Sequence, residues 1–451
     1  MRFYSTRNKK ANICFSDAVL RGFAPDGGIY FPETIPQYMD TVKDSLSEMS
    51  LQDIAFETAK LFIEDEIPDT TLQDIIHKTY NFPTPIFQVG DRLVLELFYG
   101  QTATFKDIGA HFTARLLSYL RRGENKTLNI LLATTGDSGS AIANAFHNIE
   151  GINVFIVYPK GKLSPANENE ITVGGNIKAI SVEGNFDDCY RLVKSAYEDS
   201  ALKKKIVLAS ADAVNISFII SQIPYLVLSS AKSFKGKIDI PTNDSPKNTK
   251  FKQSDGSQGD FRAIPEQPLT FAIPSGNYGH FISALYAIEM GAPIRGIIAG
   301  ACHNAIPDYL TNGYYSPGFP NNTISNSMDI GLPNNFERII TQWSIKDIRK
   351  VAQGVHVSDD KAKHTILRVH NTYGYFLNPH TAVAWHSIDK LHASQALING
   401  PIAVLATAHP AKFPPLSSKL PLPPSLKKAQ TQKAQAKIIK ADTTAFLEVL
   451  Q

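Results

Sequence analysis

The sequence predicts an α/β fold with parallel sheets, because short apolar runs alternate with helical patterns along most of the chain. LNILLA precedes AIANAFHNI, IKAISVEG precedes FDDCYRLVKSAYED, and LTFAIP precedes HFISALYAIEMG. The runs are largely apolar rather than strictly alternating, which is typical of parallel strands covered by helices on both faces. They are numerous enough to form two such sheets.

The first part of the chain has a different organisation. Residues 1–92 carry a turn signal, APDGG, and two helical patterns, LQDIAFETAKLFIED and TLQDIIHKTYN. We interpret them as a separate N-terminal α/β unit. A chain of 451 residues is too long for one ordinary core, so we expect two further domains. The large domain is predicted over 93–112 and 202–413, and the small domain over 113–201.

Two segments lack the alternating pattern. Residues 235–268 are polar and rich in proline and glycine, which predicts a flexible surface insertion. The tail, residues 414–451, is proline-rich and then lysine-rich. A solvated terminal helix is the favoured interpretation of this tail, and a nucleic-acid-binding patch is the weaker one.

Composition excludes several classes of protein. The net charge of +3 is too small to indicate nucleic-acid binding. Three distant cysteines without a CxxC pair argue against a disulfide framework and a cysteine zinc site, so we expect a reducing, cytoplasmic location and no metal. The polar start MRFYSTRNKK lacks the apolar stretch of a signal peptide. The most apolar long segment, 214–231, is interrupted by polar residues and proline, so no membrane span is predicted.

Two glycine-containing loops follow predicted strands and open predicted helices. They are TTGDSGS (134–140) and PSGNYGH (274–280). Ligands of open α/β sheets bind at the carboxyl ends of strands, where helix N-termini present free N–H groups that suit anions. Neither loop matches GxxxxGK[ST] or GxGxxG, which weakens a nucleotide-binding interpretation. Each loop taken alone could also be a tight turn without a ligand.

Lys106 occupies the junction between the apolar strand LELF and a helix that begins near KDIGAHF. A solvated lysine is the ordinary interpretation of such a residue. Apolar surroundings and a helix N-terminus, however, favour the neutral amine that a Schiff base requires. A Schiff-base lysine together with a loop that binds phosphate is the set of groups that pyridoxal 5′-phosphate needs.

The sequence resembles a known family across nearly its whole length. The chain is similar to the threonine synthases that have a long N-terminal domain. The matching blocks occur in the family's order and include FSDAVLRGFAPDGGIYFPETIP, ELFYGQTATFKDIGAHF, ATTGDSGSA, YPKGKLS, IPSGNYGH, SNSMDIGLPNNFER, GYFLNPHTAV and ATAHPAKFP.

The resemblance implies a fold-type-II pyridoxal-phosphate enzyme, with the cofactor between a large and a small α/β domain. It implies a lyase of threonine biosynthesis that converts O-phospho-L-homoserine and water to L-threonine and phosphate, as a monomer or homodimer. By matching position, Lys106 would form the Schiff base and move protons. The cofactor phosphate would lie on Ser275, Gly276, Asn277, Tyr278 and Gly279, the pyridine nitrogen would face Thr407, and the substrate would contact Thr135, Asp137, Ser138, Lys160 and Asn215.

Several positions depart from the family's pattern. In ADAVNISFIISQ, Asp212 and Ala213 replace the usual Asn and Ser, and Phe218 replaces an arginine that could bind phosphate bidentately. Two alternatives to a threonine synthase therefore stay open. One is a phospho-lyase that releases 2-oxobutyrate, and the other is an inactive homologue that only binds the cofactor, although the presence of Lys106 argues against inactivity. Further departures are Gln101, Thr104, His280, Asn378 and Ala406.

Overall fold

The computed structural model describes residues 1–10, 12–38, 45–238, 266–318, 322–391, 396–413 and 435–450, with residues 416, 420, 421, 423, 424, 426 and 427 between the last two ranges. Residues 239–265, most of the predicted insertion, lie outside the described residues. None of the described helices is long and apolar enough to cross a lipid bilayer.

The strands form three sheets. They are β1 (Phe3–Ser5), β2 (Asn12–Ile13), β3 (Tyr30–Pro32), β4 (Ile86–Val89), β5 (Arg92–Glu96), β6 (Leu128–Ala133), β7 (Ile152–Pro159), β8 (Ile177–Glu183), β9 (Val207–Ala209), β10 (Leu269–Pro274), β11 (Ile294–Ala301), β12 (Ala352–His356), β13 (Ile402–Ala406) and β14 (Lys437–Lys440).

Helices connect most of these strands. They are α1 (Phe15–Arg21), α2 (Leu51–Ile63), α3 (Asp69–Thr79), α4 (Lys106–Leu120), α5 (Asp137–Phe146), α6 (Pro165–Ile171), α7 (Phe186–Glu198), α8 (Ser200–Lys205), α9 (Ile216–Ile220), α10 (Ile223–Phe234), α11 (Gly279–Glu289), α12 (Ile306–Asn312), α13 (Phe336–Gln342), α14 (Ile345–Val351), α15 (Asp359–Tyr373), α16 (Pro379–Asp389) and α17 (Thr443–Val449). Short 3₁₀ turns occupy Glu64–Glu66, Asn326–Met328, Ala396–Ile398 and Pro410–Lys412.

Two of the sheets are mainly parallel, which confirms the predicted fold class. The six-stranded sheet has the order β12-β11-β10-β13-β5-β4, and its strands are parallel except for the antiparallel pair β4 and β5. The five-stranded sheet has the order β14-β8-β7-β6-β9 and is parallel throughout. The third sheet, β2-β1-β3, is antiparallel and belongs to the N-terminal region.

Strand pairing cuts across the predicted domain boundaries at two points. Strand β4 lies within the predicted N-terminal unit but pairs with β5 of the six-stranded sheet. Strand β9 lies beyond residue 201, the predicted end of the small domain, but pairs with β6 of the five-stranded sheet. The division of the chain into domains otherwise stays a prediction.

The prediction of a solvated helix for the tail is wrong for residues 437–440. They form β14, which pairs in parallel with β8 at the edge of the five-stranded sheet. Helix α17 follows, and its Phe446 is fully buried. Ile439 and Phe446 supply enough apolar surface to hold this segment against the sheet, an effect of about 1.5–3 kcal/mol for each fully buried side chain. The lysine-rich composition of the tail concealed the two apolar side chains Ile439 and Phe446.

Helix α4 carries Lys106 as its first residue. Ile108, Phe112 and Leu116 follow at four-residue spacing and are almost completely buried. One face of the helix is therefore fixed in the core, because side chains at i and i+4 lie above one another. This packing holds the first turn, and with it Lys106, at the carboxyl end of β5.

Candidate active site

Three adjacent strands of the six-stranded sheet deliver the main predicted residues to one edge. Strands β10, β13 and β5 are parallel neighbours, and they lead to Ser275, Thr407 and Lys106 respectively. The backbone N–H of Phe105 donates to the carbonyl of Thr407 at 2.8 Å. The N–H of Ser275 donates to the carbonyl of Gly300 at 2.8 Å. The carboxyl ends of the strands and their loops are thus tied together.

These residues surround one cavity. Helix α5, which follows β6 of the five-stranded sheet, contributes Asp137 and Ser138 from the opposite side. The cavity is therefore built where the carboxyl ends of both sheets meet. The predicted residues that line it are Lys106, Asp137, Ser138, Ser275, Gly276, Asn277, Tyr278, Gly279 and Thr407.

Lys106 faces the cavity, and its amine is hydrogen-bonded to the hydroxyl of Ser138. Burial lowers the pKa of Lys106, although the nearby carboxylates of Asp137 and Asp212 oppose the shift. A lowered pKa increases the fraction of neutral amine, which is the nucleophilic form. The environment therefore favours covalent chemistry at this lysine.

The first glycine loop, 134–140, is braced by its own threonine. The hydroxyl of Thr134 accepts hydrogen bonds from the N–H groups of Gly136 at 3.0 Å and Gly139 at 2.9 Å. Gly136 has φ +135°, and a Cβ there would lie 2.3 Å from Nδ2 of Asn167. The loop is thus a tight, internally bonded turn that fixes Asp137 and Ser138 at the start of α5.

Asp137 belongs to a buried ion cluster. The ammonium of Lys412 lies 3.2 Å from Oδ1 of Asp137 and 3.4 Å from Oε2 of Glu170, and donates to the carbonyl of Thr102 at 2.7 Å. Burial alone raises the pKa of Asp137, but the combined effects of Lys412, His380 and Lys106 outweigh burial and hold that pKa below its usual value. The same carboxylates raise the pKa of Lys412 although burial lowers it. Asp137 is therefore ionised beside Lys106.

The second glycine loop, 274–280, differs from the first in that its backbone N–H groups are not used within the loop. The backbone N–H groups of Gly276, Asn277 and Tyr278 donate to no acceptor within the described ranges. Tyr278 has φ +60°, a left-handed conformation that is uncommon for a non-glycine residue and turns successive N–H groups toward one point. The N-terminus of α11, an 11-residue helix, adds its own free donors. This loop has the geometry of an anion site.

Gly276 is required by a close backbone approach. A Cβ at this position would lie 2.9 Å from Cα of Met328 and 3.0 Å from the carbonyl oxygen of Ser327. Both neighbours are backbone atoms of a 3₁₀ turn, so they cannot move aside easily. The turn therefore closes one side of the anion site and leaves no room for a side chain at residue 276.

Three predicted substrate residues lie away from this cavity. Thr135 lines an adjoining open cleft between the sheets. Lys160 is exposed and forms a 2.9 Å ion pair with Glu183. Asn215 is fully buried and caps α9, and its amide donates to the carbonyls of Val19 and Ser210 at 2.8 Å. We therefore leave Asn215 out of the proposed site, since its side chain is used within the fold.

The departures at positions 212, 213 and 218 all lie at or near the site. Phe218 and Ala213 line the cavity, and the ring of Phe218 packs against Gly109 of α4. The carboxylate of Asp212 accepts hydrogen bonds from the hydroxyl of Ser210 at 2.9 Å and the N–H of Val214 at 3.0 Å. Its charge is thus held by local donors. Phe218 makes this wall apolar where an arginine would have supplied a cation.

Three further residues of the site were not singled out from the sequence: Lys412, His380 and Gln222. Lys412 is described above. His380 and Gln222 both line the cavity and are at most 3% exposed. Nε2 of His380 accepts from the N–H of Ser327 at 3.2 Å, and Nδ1 has no partner among the described residues. Burial lowers the pKa of His380 to about 4, so the ring is neutral and Nδ1 carries the proton. Its position two residues after the N-cap Asn378 was the available sequence signal.

Two family models cover almost the whole chain. Residues 2–80 match the family described as "Threonine synthase N terminus", and residues 81–408 match "Pyridoxal-phosphate dependent enzyme". The second match includes Lys106, both glycine loops and Thr407. The fold and the site thus define a pyridoxal-phosphate-dependent enzyme.

Individual relatives narrow the class. The threonine synthase of Haemophilus influenzae is 34% identical over 439 residues, which are 95% of this chain and 94% of the relative. The crystal structure of threonine synthase from Escherichia coli has a TM-score of 0.85 at 31% identity, covering 100% of this chain and 99% of that one. PLP-bound threonine synthase from Brucella melitensis has a TM-score of 0.83 at 28% identity, with 100% and 98% coverage. The chain belongs to the threonine synthase family.

The cofactor of this family, pyridoxal 5′-phosphate, fits the residues that line the cavity. The open N–H groups of residues 276–278 can hold its phosphate, and Lys106 can supply the amine for its aldehyde carbon. Thr407, which directly follows β13, lines the same space and carries a hydroxyl. These three elements come from neighbouring strands, so they can contact one small molecule at once.

Proposed function

We propose that this protein is a threonine synthase that converts O-phospho-L-homoserine and water to L-threonine and phosphate. The observation that carries the proposal is the cavity, in which a lysine with a lowered pKa and an open anion loop face an ionised carboxylate. Membership of the threonine synthase family supports the choice of substrate and product.

When bound, the cofactor supplies an electron sink that allows protons to leave carbons next to the substrate's amino group. Lys106 is the residue placed to remove and return those protons. Ser138 holds its amine by a hydrogen bond and so orients it toward the cavity. Burial lowers the pKa of Lys106 and so increases the fraction of neutral amine, which is the form that can accept a proton.

Helix α5 is placed to bind the substrate carboxylate. The backbone N–H groups of Asp137 and Ser138 have no acceptor among the described residues, since a helix leaves its first donors without intrahelical partners, whereas the N–H of Gly139 already donates to Thr134. Thr135 lies on the adjoining cleft and can contact the part of the substrate that extends away from the cavity. Asp137 stays ionised through Lys412 and therefore keeps a negative charge beside the Lys106 amine.

Binding of the substrate phosphate requires a cation within reach of the cavity. Lys160 was expected to contact it, but this side chain is exposed and paired with Glu183. Arg191 and Lys194 of α7 line the same open cleft as Thr135. Both are exposed and form ion pairs with Asp188 and Glu198 of the same helix, and we infer that a substrate phosphate replaces these carboxylates and binds the two cations in place of an arginine at position 218.

Cellular location and assembly stay predictions. We propose a cytoplasmic enzyme on the basis of its cysteines, which are all free. We propose a monomer or a homodimer on the resemblance alone. Light scattering of the purified holoenzyme measures the mass directly, and a trimer or larger assembly would contradict the proposal.

The test is to incubate the cofactor-loaded protein with O-phospho-L-homoserine and to resolve the products. We expect L-threonine and inorganic phosphate in equal amounts. Phosphate with 2-oxobutyrate would instead identify a phospho-lyase and implicate the changes at 212, 213 and 218. Absence of any phosphate release would show that the protein uses another substrate or only binds the cofactor.

A further inference from the structure

Gln222 is a buried amide that no described residue satisfies. Its side chain is 1% exposed and lines the cavity. Neither Nε2 nor Oε1 has a hydrogen-bond partner within the described part of the chain. Such groups are rare in native proteins, because burying an amide without a partner is unfavourable. The geometry therefore indicates that a ligand supplies the missing partner.

The position of the Gln222 amide indicates which part of a bound ligand it would contact. Nε2 of Gln222 lies 3.9 Å from the place that a Cβ on Gly279 would occupy. Gly279 is the first residue of α11 and directly follows the open N–H groups of residues 276–278. The amide thus approaches the anion loop from the connection between α9 and α10, on a side that the loop itself does not cover.

An extra donor is needed at this point because the anion loop has little positive charge nearby. Lys106 is the one lysine or arginine among the described residues that line the cavity, and its amine is required for covalent chemistry. His280, which follows Gly279, has its pKa lowered by burial to about 3 and is neutral. A phosphate dianion in the loop would otherwise rely on backbone donors and the helix dipole alone.

We propose that Gln222 donates a hydrogen bond from Nε2 to the phosphate of bound pyridoxal 5′-phosphate. This inference rests on the proposed cofactor site. It adds to the loop a side-chain ligand from a different element, since Gln222 precedes α10 and the loop precedes α11. The amide would also make the enzyme select the phosphorylated cofactor over its unphosphorylated form.

The experiment compares two ligands that differ only in the phosphate: pyridoxal 5′-phosphate and pyridoxal. Their apparent dissociation constants are measured by visible absorbance with the apo forms of wild type, Gln222→Met and Gln222→Glu. Gln342→Leu is the matched control, because this half-buried glutamine bonds to Tyr286 and does not line the cavity.

We expect Gln222→Met to bind pyridoxal 5′-phosphate about 10- to 100-fold more weakly, the usual effect of losing one hydrogen bond to a charged group. Gln222→Glu should weaken binding further, because its carboxylate repels the phosphate. The dissociation constant for pyridoxal should stay within about twofold in both variants, and the control should match wild type. The thermal midpoint of apo Gln222→Met should not fall, since the substitution removes an unsatisfied amide.

Equal weakening of both ligands would overturn the inference, because the amide would then act on the pyridine ring or on the fold. Unchanged binding of both ligands would also overturn it. A third result would also overturn the inference: the variants bind the cofactor normally, but the loaded enzyme binds inorganic phosphate more weakly. That result would assign Gln222 to the substrate phosphate. If wild type itself fails to prefer pyridoxal 5′-phosphate, the proposed cofactor site is at fault rather than Gln222.

Discussion

The two glycine loops of the site follow equivalent strands but differ in how their N–H groups are used. In the loop 134–140, Thr134 accepts hydrogen bonds from two glycine N–H groups, and the loop contains Asp137, whose charge is paired with Lys412. In the loop 274–280, three successive N–H groups have no acceptor among the residues that the structure describes, and Tyr278 has left-handed backbone geometry. We therefore propose that the first loop positions side chains next to the substrate, whereas the second presents its backbone N–H groups to a phosphate.

This difference shows that glycine serves two purposes in one site. In the first loop, Gly136 and Gly139 allow a compact turn against neighbouring side chains. In the second loop, Gly276 allows close approach to the backbone of residues 327 and 328. Glycine spacing alone does not distinguish these cases, because both depend on atoms that are distant in sequence.

Lys106→Ala tests the residue that both loops surround, and should have the largest effect. Activity should fall by at least about 10³-fold, because the nucleophile and the proton-transfer group are lost together. The visible absorption of the lysine-bound cofactor should disappear. The control is Lys178→Ala, an exposed lysine on β8, which should keep both the absorption and the activity. Retention of the band in Lys106→Ala would show that another lysine binds the cofactor.

Lys412→Met tests whether the ammonium of Lys412 balances the negative charge of Asp137 in the first loop. Removing one partner of a buried ion pair typically costs about 3–5 kcal/mol, because the remaining charge is left uncompensated. We expect a loss of this size in the free energy of unfolding, measured with denaturant. Adding Glu170→Gln should recover part of it. Lys350→Met, which removes an exposed pair with Asp347, should leave the free energy of unfolding nearly unchanged. Similar losses in the two single variants would contradict the role of Lys412.

Substitution of one glycine in each loop separates binding from stability. Gly276→Ala should weaken cofactor binding by about tenfold or more, because the new methyl group would displace the backbone that closes the anion site. Gly139→Ala should instead reduce stability by about 1–3 kcal/mol through overpacking against Thr134, Ile156 and Ile171. Titration with pyridoxal 5′-phosphate and thermal unfolding distinguish the two effects. Reversed results would assign the loops the opposite roles.

His280→Gln gives the smallest effect and concerns the end of the second loop. Burial lowers the pKa of His280 to about 3, so the folded state favours the neutral ring. Its stabilising effect is present above the unfolded pKa of about 6.5 and is lost as the pH falls toward 3. Lowering the pH from 7.5 to 5 should therefore destabilise wild type by about 2 kcal/mol more than His280→Gln. Equal pH dependence in the two proteins would show that His280 is accessible to protons.

Periodicity in the sequence was enough to predict the parallel sheets, because buried strands and amphipathic helices leave local patterns. The position of Lys106 was also predictable, since its helix has apolar residues at four-residue spacing. For Asn215 the sequence also held a local signal for a structural role, because asparagine directly before an apolar helix is a common N-cap.

The remaining parts of the site could not be predicted because their partners are far apart in sequence. Lys412 meets Asp137 and Glu170 only after the ends of the two sheets come together. The unsatisfied atoms of Gln222 and His380 are visible only in the packed cavity. Strand β14 was missed because its lysines, spaced around Ile438 and Ile439, read as a solvated segment.

The most direct test of this account is to reduce the cofactor-loaded protein with borohydride and to map the modified lysine by mass spectrometry. Reduction fixes the cofactor on the residue that carries it. We predict one cofactor per chain, attached to Lys106 at the carboxyl end of β5 between the two loops. Attachment to Lys412, or to a surface lysine, would contradict it.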